Sequence, residues 1–348
     1  MAATLAEGRG DPPPHGGSKP VRRPLLWFEA LYGRLGIPLW AGAVVVTYLP
    51  FLLGLVLGYA AAGVWDEFKR EIPFVHLPVF VSFVAFQLGA VYVCDRIERL
   101  HAYAESMVEG PQRTHFARLY RVGPILVISA IFVVFSSVAY RLSFGPGYTL
   151  SQVLLVQVST WPILDVFLCT LFWVWGYSMH AIYRMAKMPL KLGAFTEDRM
   201  LGLAPFAKES LRLTVIYLVL VAVISFPQIL SGAFGPLVAV MFLSFFPLGM
   251  GFFLLPLIPL RSKLRRAKAE KMRWIGAEYS KILGSVGAIG GMDETTAARL
   301  MVIDKIQRDI KQIPTWPLEA GILARLVGIV VTVTAILVAT IVRLAIGI

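Results

Sequence analysis

Apolar and polar stretches alternate along the chain on the length scale of a bilayer. Apolar runs at about 37–63, 74–94, 123–142, 161–181, 213–230, 235–260 and 321–345 come close to, or exceed, the roughly 20 residues a helix needs to cross the hydrocarbon core. Only helices or closed barrels satisfy their backbone there. The expectation is therefore an all-α polytopic membrane helix bundle of seven transmembrane helices. Helical spacing also continues beyond the apolar runs. Ile97, Leu100, Ala104 and Met107 carry the second helix on into water, and 150–187 reads as one long helix around the fourth run. Pro162 is a candidate kink. Pro247, Pro256 and Pro259 predict a bent sixth helix with a loosely wound lower end.

The polar stretch 261–313 has its own pattern. Leu264, Ala267, Ile275, Tyr279 and Ile282 fall near one face of a helix over 262–283. Residues 284–291 (GSVGAIGG) read as a glycine-rich link; they lack the Gly-Lys-Ser/Thr ending of a phosphate loop. Asp293 is a plausible N-cap, and Ile303, Ile306, Ile310 and Ile313 form a seam at coiled-coil spacing. The expected organisation is a disordered tail at 1–24, helices 1 to 6 with their connections at 25–260, a cytoplasmic helical hairpin at 261–313, and a hinge plus last helix at 314–348. The hinge residues are Pro314, Trp316 and Pro317. Residues 25–35, aromatic and flanked by arginine, read as an amphipathic helix on the inner membrane surface. Gly54 and Gly58, with Ala62 four residues on, are candidates for close helix packing.

Composition agrees: of 348 residues 57% are hydrophobic and 16% charged, against about a quarter charged in soluble chains. The net charge of +12 would suggest nucleic acid in a soluble protein, but here sidedness accounts for it. With seven spans, 28 Lys and Arg fall on one side of the membrane, 3 on the other and 2 within the last span. Positive residues stay inside, so the N-terminus is cytoplasmic and the C-terminus outside. The expected location is the cell membrane, and no nucleic-acid partner is implied.

Intramembrane ionisable groups are the default functional candidates, and there are few. Asp165 lies in the outer part of the fourth run, at a depth matching Arg343, with which it could pair. Arg325 and Arg343 are 18 residues apart, which is five helical turns, so they share a face with Gly328, Thr332, Ile336 and Ala339. That stripe either lines a pore or packs on another helix while the arginines snorkel to opposite interfaces. Thr334 points the other way. Arg261, Lys263, Arg265 and Arg266 begin a juxtamembrane basic run of the kind that attracts anionic lipid headgroups; the same charges also serve to set topology. Cys94 and Cys169 lie in apolar runs and read as core residues. No histidine or carboxylate spacing suits a metal, and no catalytic constellation is visible, so neither cofactor nor enzyme activity is expected.

The stretch from Leu190 to Pro205 (LKLGAFTEDRMLGLAP) and the segment from Ile313 to Leu318 (IPTWPL) look similar to uncharacterised prokaryotic multispan proteins. In the order and sidedness of its segments the chain resembles the insect chemoreceptor type of seven-helix channel. That resemblance implies a homo-oligomer, a tetramer in that family, with a water-side bundle built from helix extensions. It also implies a split seventh helix whose membrane half lines the pore, and the break at Pro314–Pro317 corresponds to that split. That family's short C-terminal signature is missing, so ligand and selectivity do not transfer. The expectation is an oligomeric ion channel. A carrier or lipid-handling protein using a cavity near Asp165, and a non-conducting anchor or sensor scaffold, are the alternatives.

Overall fold

The computed structural model describes residues 24–71, 77–107, 117–143, 149–193, 200–231, 236–289, 294–316 and scattered positions between 324 and 342. The described residues are helical and contain no strand. In chain order the helices are α1 (Trp27–Leu35), α2 (Leu39–Gly42), α3 (Leu49–Ala62), α4 (Trp65–Glu71), α5 (Leu77–Met107), α6 (Val122–Ser143), α7 (Leu150–Lys187), α8 (Ala204–Ser231), α9 (Pro236–Ile289) and α10 (Glu294–Lys311). Among the described residues, four helical stretches are long and apolar enough to cross a membrane: Leu39–Ala62, Pro78–Met107, Pro162–Lys187 and Ser244–Gly284. Val122–Val138 in α6 is a shorter apolar stretch.

The bundle is organised around α7, which touches α3, α5, α6, α8 and α9. Its length follows from its sequence. Thr149 caps it by accepting from the Gln152 amide at 3.3 Å, and Gln152 reaches back to the Thr149 amide at 3.0 Å. Pro162 sits inside an unbroken helix. From Leu164 to Ala186 one face of α7 is buried, including Leu164, Phe167, Leu168, Leu171, Val174 and Trp175. Trp175 stacks on Tyr217 of α8 with ring centroids 3.9 Å apart, and the Tyr217 hydroxyl donates to the Phe245 carbonyl of α9 at 3.1 Å. A Cβ at Gly249 would lie 2.5 Å from the Tyr217 ring, so glycine is what lets α8 and α9 approach there.

The outward faces of the helices are apolar as well. Leu49, Leu53 and Leu57 on α3, Val81 and Leu88 on α5, and Ile131, Val134 and Val138 on α6 are all exposed. Apolar surface repeated on so many helices needs a non-aqueous solvent. The chain is therefore an all-helical membrane protein.

Several local expectations change. The first apolar run is not a single regular helix: a π-helical stretch, Ala43–Tyr48, joins α2 to α3. The sixth run keeps its winding, because α9 passes through Pro247, Pro256 and Pro259 as one 54-residue helix of about 80 Å. Pro256 and Pro259 are buried, and the packing of α9 on α7 and α8 supports the helix where proline removes a hydrogen bond. The glycine-rich segment, expected as a link, is helical as far as Ile289; Gly290, Gly291 and the expected N-cap Asp293 lie outside the described residues. The amphipathic helix α1 lays its aromatic face on protein: Phe28 and Tyr32 are buried, and Phe28 sits 5.8 Å from Phe167 of α7.

Beyond the apolar part of α9 its polar end packs against α10. Ile275 of α9 is buried against Ile303, Ile310 and Ile313, with Ile282 and Ile306 packed at the edge. The Lys268 ammonium donates to the carbonyls of Lys311 at 2.7 Å and Ile313 at 2.9 Å, placing a cation on the carbonyl end of α10. The connection before α8 folds back on α5. The Lys191 amide donates to the Met107 carbonyl at 2.7 Å, and the Tyr103 hydroxyl to the Gly202 carbonyl at 2.8 Å. Gly202 has φ +81°, and a Cβ there would meet the Met107 side chain, so Lys191 and Gly202 are both held at the end of α5.

Candidate functional site

Ten polar or charged side chains are buried among the described residues, and Asp165, Thr170 and Ser178 of these are on α7. Asp165, on its N-terminal half, is 3% exposed. The Ser136 hydroxyl of α6 donates to its Oδ2 at 3.1 Å. Two turns earlier on α6, Ser129 is buried with its hydroxyl unpartnered among the described residues, beside the Cys169 thiol of α7. Heptad spacing on α6 and four-residue spacing on α7 thus bring Ser129, Ser136, Asp165 and Cys169 onto one interhelical seam. Among the described residues Asp165 has no ion-pair partner, and one hydroxyl is thin compensation for a buried carboxyl. The expected partner, Arg343, lies outside the described residues.

A second polar chain ties α1 to the π-helical stretch. The Tyr32 hydroxyl donates to Gln87 Oε1 of α5 at 2.7 Å, and Gln87 Nε2 donates to the Thr47 hydroxyl at 3.1 Å. Thr47 in turn donates to the Ala43 carbonyl, one of the acceptors that π winding displaces. Trp27 Nε1 donates to Thr170 of α7 at 3.1 Å, and a Cβ at Gly42 would meet the Tyr32 ring at 2.5 Å. Tyr32→Phe leaves the buried Gln87 oxygen without its donor. The expected loss is about 1–2 kcal/mol, read as a lower unfolding temperature in detergent; an unchanged value would show that the hydroxyl is not needed.

The sequence singled out Asp165 and missed both of these arrangements. Thr47, Gln87 and Thr170 are lone polar residues in apolar runs, and that isolation was the available signal. It also missed Arg96 of α5, which grips Glu209 of α8 with two donors, Nε at 2.9 Å and a second terminal nitrogen.

The candidate pore stripe is only partly described. Gly328, Thr332 and Ala339 are helical and exposed, with nothing within 4 Å of a Cβ at Gly328. Arg325, Ile336 and Arg343 lie outside the described residues, as does Pro317 of the hinge. On the opposite side Val330 is buried and Thr334 half-buried, so the last helix meets the bundle through that side. Pro314 is half-buried, and Trp316 packs against the core with the Arg261 guanidinium 4.3 Å from its ring centroid. Of the lipid-facing candidates, Arg265 and Arg266 are exposed, whereas Lys263 is occupied: its ammonium donates to the Met188 carbonyl.

No cluster of three or more potential metal ligands occurs among the described residues. Fold and site together define the class, a helical membrane protein with a buried acid on its central helix. No family model, curated protein or solved structure matches the chain.

Proposed function

We propose that the protein is an oligomeric ion channel of the cell membrane. In this reading α2–α3, α5, α6, α7, α8, α9 and the last helix are its seven spans, with the N-terminus cytoplasmic. The last helices of the copies, a tetramer being the expected number, surround the pore with Gly328, Thr332 and Ala339 facing it. No catalytic step or cofactor is involved. The observation that carries this is the exposure of one side of that helix. Among its described residues Val330 is buried and Thr334 half-buried, while Gly328, Thr332 and Ala339 on the opposite side are exposed. A second observation agrees. The α9–α10 hairpin exposes Trp274, Leu283, Met301 and Val302 on what the charge count makes the water side, where no lipid covers them; neighbouring copies would.

The test is current through planar bilayers containing the purified protein. A Thr332→Cys variant, with Cys94 and Cys169 replaced by alanine, is expected to conduct and to be blocked by a charged thiol reagent. Absence of current, or current indifferent to the reagent, contradicts the reading.

The Ser129–Ser136–Asp165–Cys169 seam favours a second reading, a carrier that moves a proton or cation through α6 and α7. Asp165→Asn is then expected to abolish transport, measured as uptake into vesicles, with the oligomer intact. In the channel reading the same variant leaves conductance within about twofold of wild type, because Asp165 is off the axis.

A further inference from the structure

We propose that the membrane-proximal face of α9 binds the phosphate headgroup of an anionic lipid in the cytoplasmic leaflet. The sequence shows only a run of seven cations between 261 and 273. The structure sorts them. Lys263 and Lys268 are occupied by backbone carbonyls of the protein itself. Arg261, Arg265, Arg266 and Arg273 instead line one open groove of about 510 Å³, with Ile258 at its membrane end and Glu270 farther out.

Arg265, Arg266 and Arg273 are exposed, and none has a hydrogen-bond or ion-pair partner among the described residues. Arg261 is held flat against Trp316, with its Nε–H buried and unpartnered among the described residues. Arg261, Arg265 and Arg266 fall within about 8 Å of one another along the helix axis and make a site for a multiply accepting anion, because guanidinium forks match phosphate oxygens; Arg273 lies about 18 Å from Arg261, beyond headgroup depth.

Position identifies the source of that phosphate. The apolar part of α9 ends at Leu260, so Arg261 and Arg265 fall at headgroup depth. Ile258, one turn deeper, is 60% exposed on the same side, where an acyl chain would lie. A soluble anion gains nothing from that apolar neighbour. Through Trp316 the site also adjoins the break that precedes the last helix. It requires α9 to leave the membrane near Leu260 and does not depend on whether the protein conducts.

The experiment uses the whole protein in nanodiscs of phosphatidylcholine with or without phosphatidylglycerol. Retained lipid is read by native mass spectrometry and stability by melting. Wild type is expected to retain phosphatidylglycerol and to melt higher with it, while millimolar inorganic phosphate leaves melting unchanged. Each juxtamembrane cation contributes about fivefold in affinity, so Arg265→Gln/Arg266→Gln should weaken retention by roughly twenty-five-fold. The equally charge-depleted Arg299→Gln/Lys305→Gln, farther out on the hairpin, should leave it unchanged. Arg265→Lys/Arg266→Lys should recover the part of the binding that charge alone carries but not the part that needs the guanidinium fork, which guards against misfolding of the glutamine variant. Equal loss in both charge-depleted variants, or an equal melting shift from inorganic phosphate, overturns the proposal.

Discussion

Replacing Arg96 with methionine should destabilise the protein by about 3 kcal/mol, among the largest single-residue effects in this chain. Arg96 and Glu209 join α5 to α8 through a two-pronged contact, and their side chains are only 18% and 12% exposed. Without Arg96, the Glu209 carboxylate keeps Arg212, 3.0 Å away, but that side chain is 54% exposed and partly hydrated. The cost is mainly that of a shielded charge left short of partners, not the worth of the pair itself. Two variants separate these. Arg96→Met alone should lower the unfolding free energy in mixed detergent sharply. Arg96→Met/Glu209→Met should recover most of it, because apolar residues of similar size replace a buried pair at little cost. A double variant as unstable as the single one would mean that the contact stabilises for its own sake.

Gly54→Val is expected to be comparably severe and to act at one helix crossing. A Cβ at Gly54 would collide with the Ser159 backbone carbonyl of α7. Backbone cannot rotate away as a side chain does, so α3 must shift along much of its contact with α7. Overpacking of this kind costs about 1–3 kcal/mol, and more where the neighbour is rigid. Gly54→Ala should already lose part of this, whereas Gly63→Ala should act through backbone strain instead. Gly63 has nothing within 4 Å of its Cβ position and ends α3 with φ +70°. Unfolding temperatures of the three variants in one detergent check the order. Gly54→Val as stable as wild type would refute the close crossing.

The two cases also show how much of the molecule was legible in the sequence. The glycine spacing at 54 and 58 marked a packing face correctly but could not name α7 as its partner, because the period of a helix identifies a face and not what lies against it. The isoleucine spacing at 303–313 marked a seam, and Ile275 had already been placed on a facing stripe. Proline was the weaker guide. Three prolines predicted a bent α9 with a loosely wound lower end, yet that end stays helical, packed on two neighbouring helices. At the candidate site, Asp165 stood out as the one acid in an apolar run, whereas its partner Ser136 is unremarkable in sequence and is found only through the α6–α7 contact. Arg96 and Glu209 lie 113 positions apart with no shared pattern, so their pairing was illegible.

The central claim is that the last helices of several copies face one another, and cross-linking at Thr332 tests it most directly. In the Cys94→Ala/Cys169→Ala background, Thr332→Cys protein in lipid nanodiscs should form disulfide-linked dimers under mild oxidation. Val127→Cys, on the exposed side of α6, should stay monomeric on denaturing gels. Cross-linking at 332 alone places that face on the symmetry axis. No cross-link at 332 in a protein that nevertheless purifies as an oligomer would remove the last helix from the axis, and the channel reading with it.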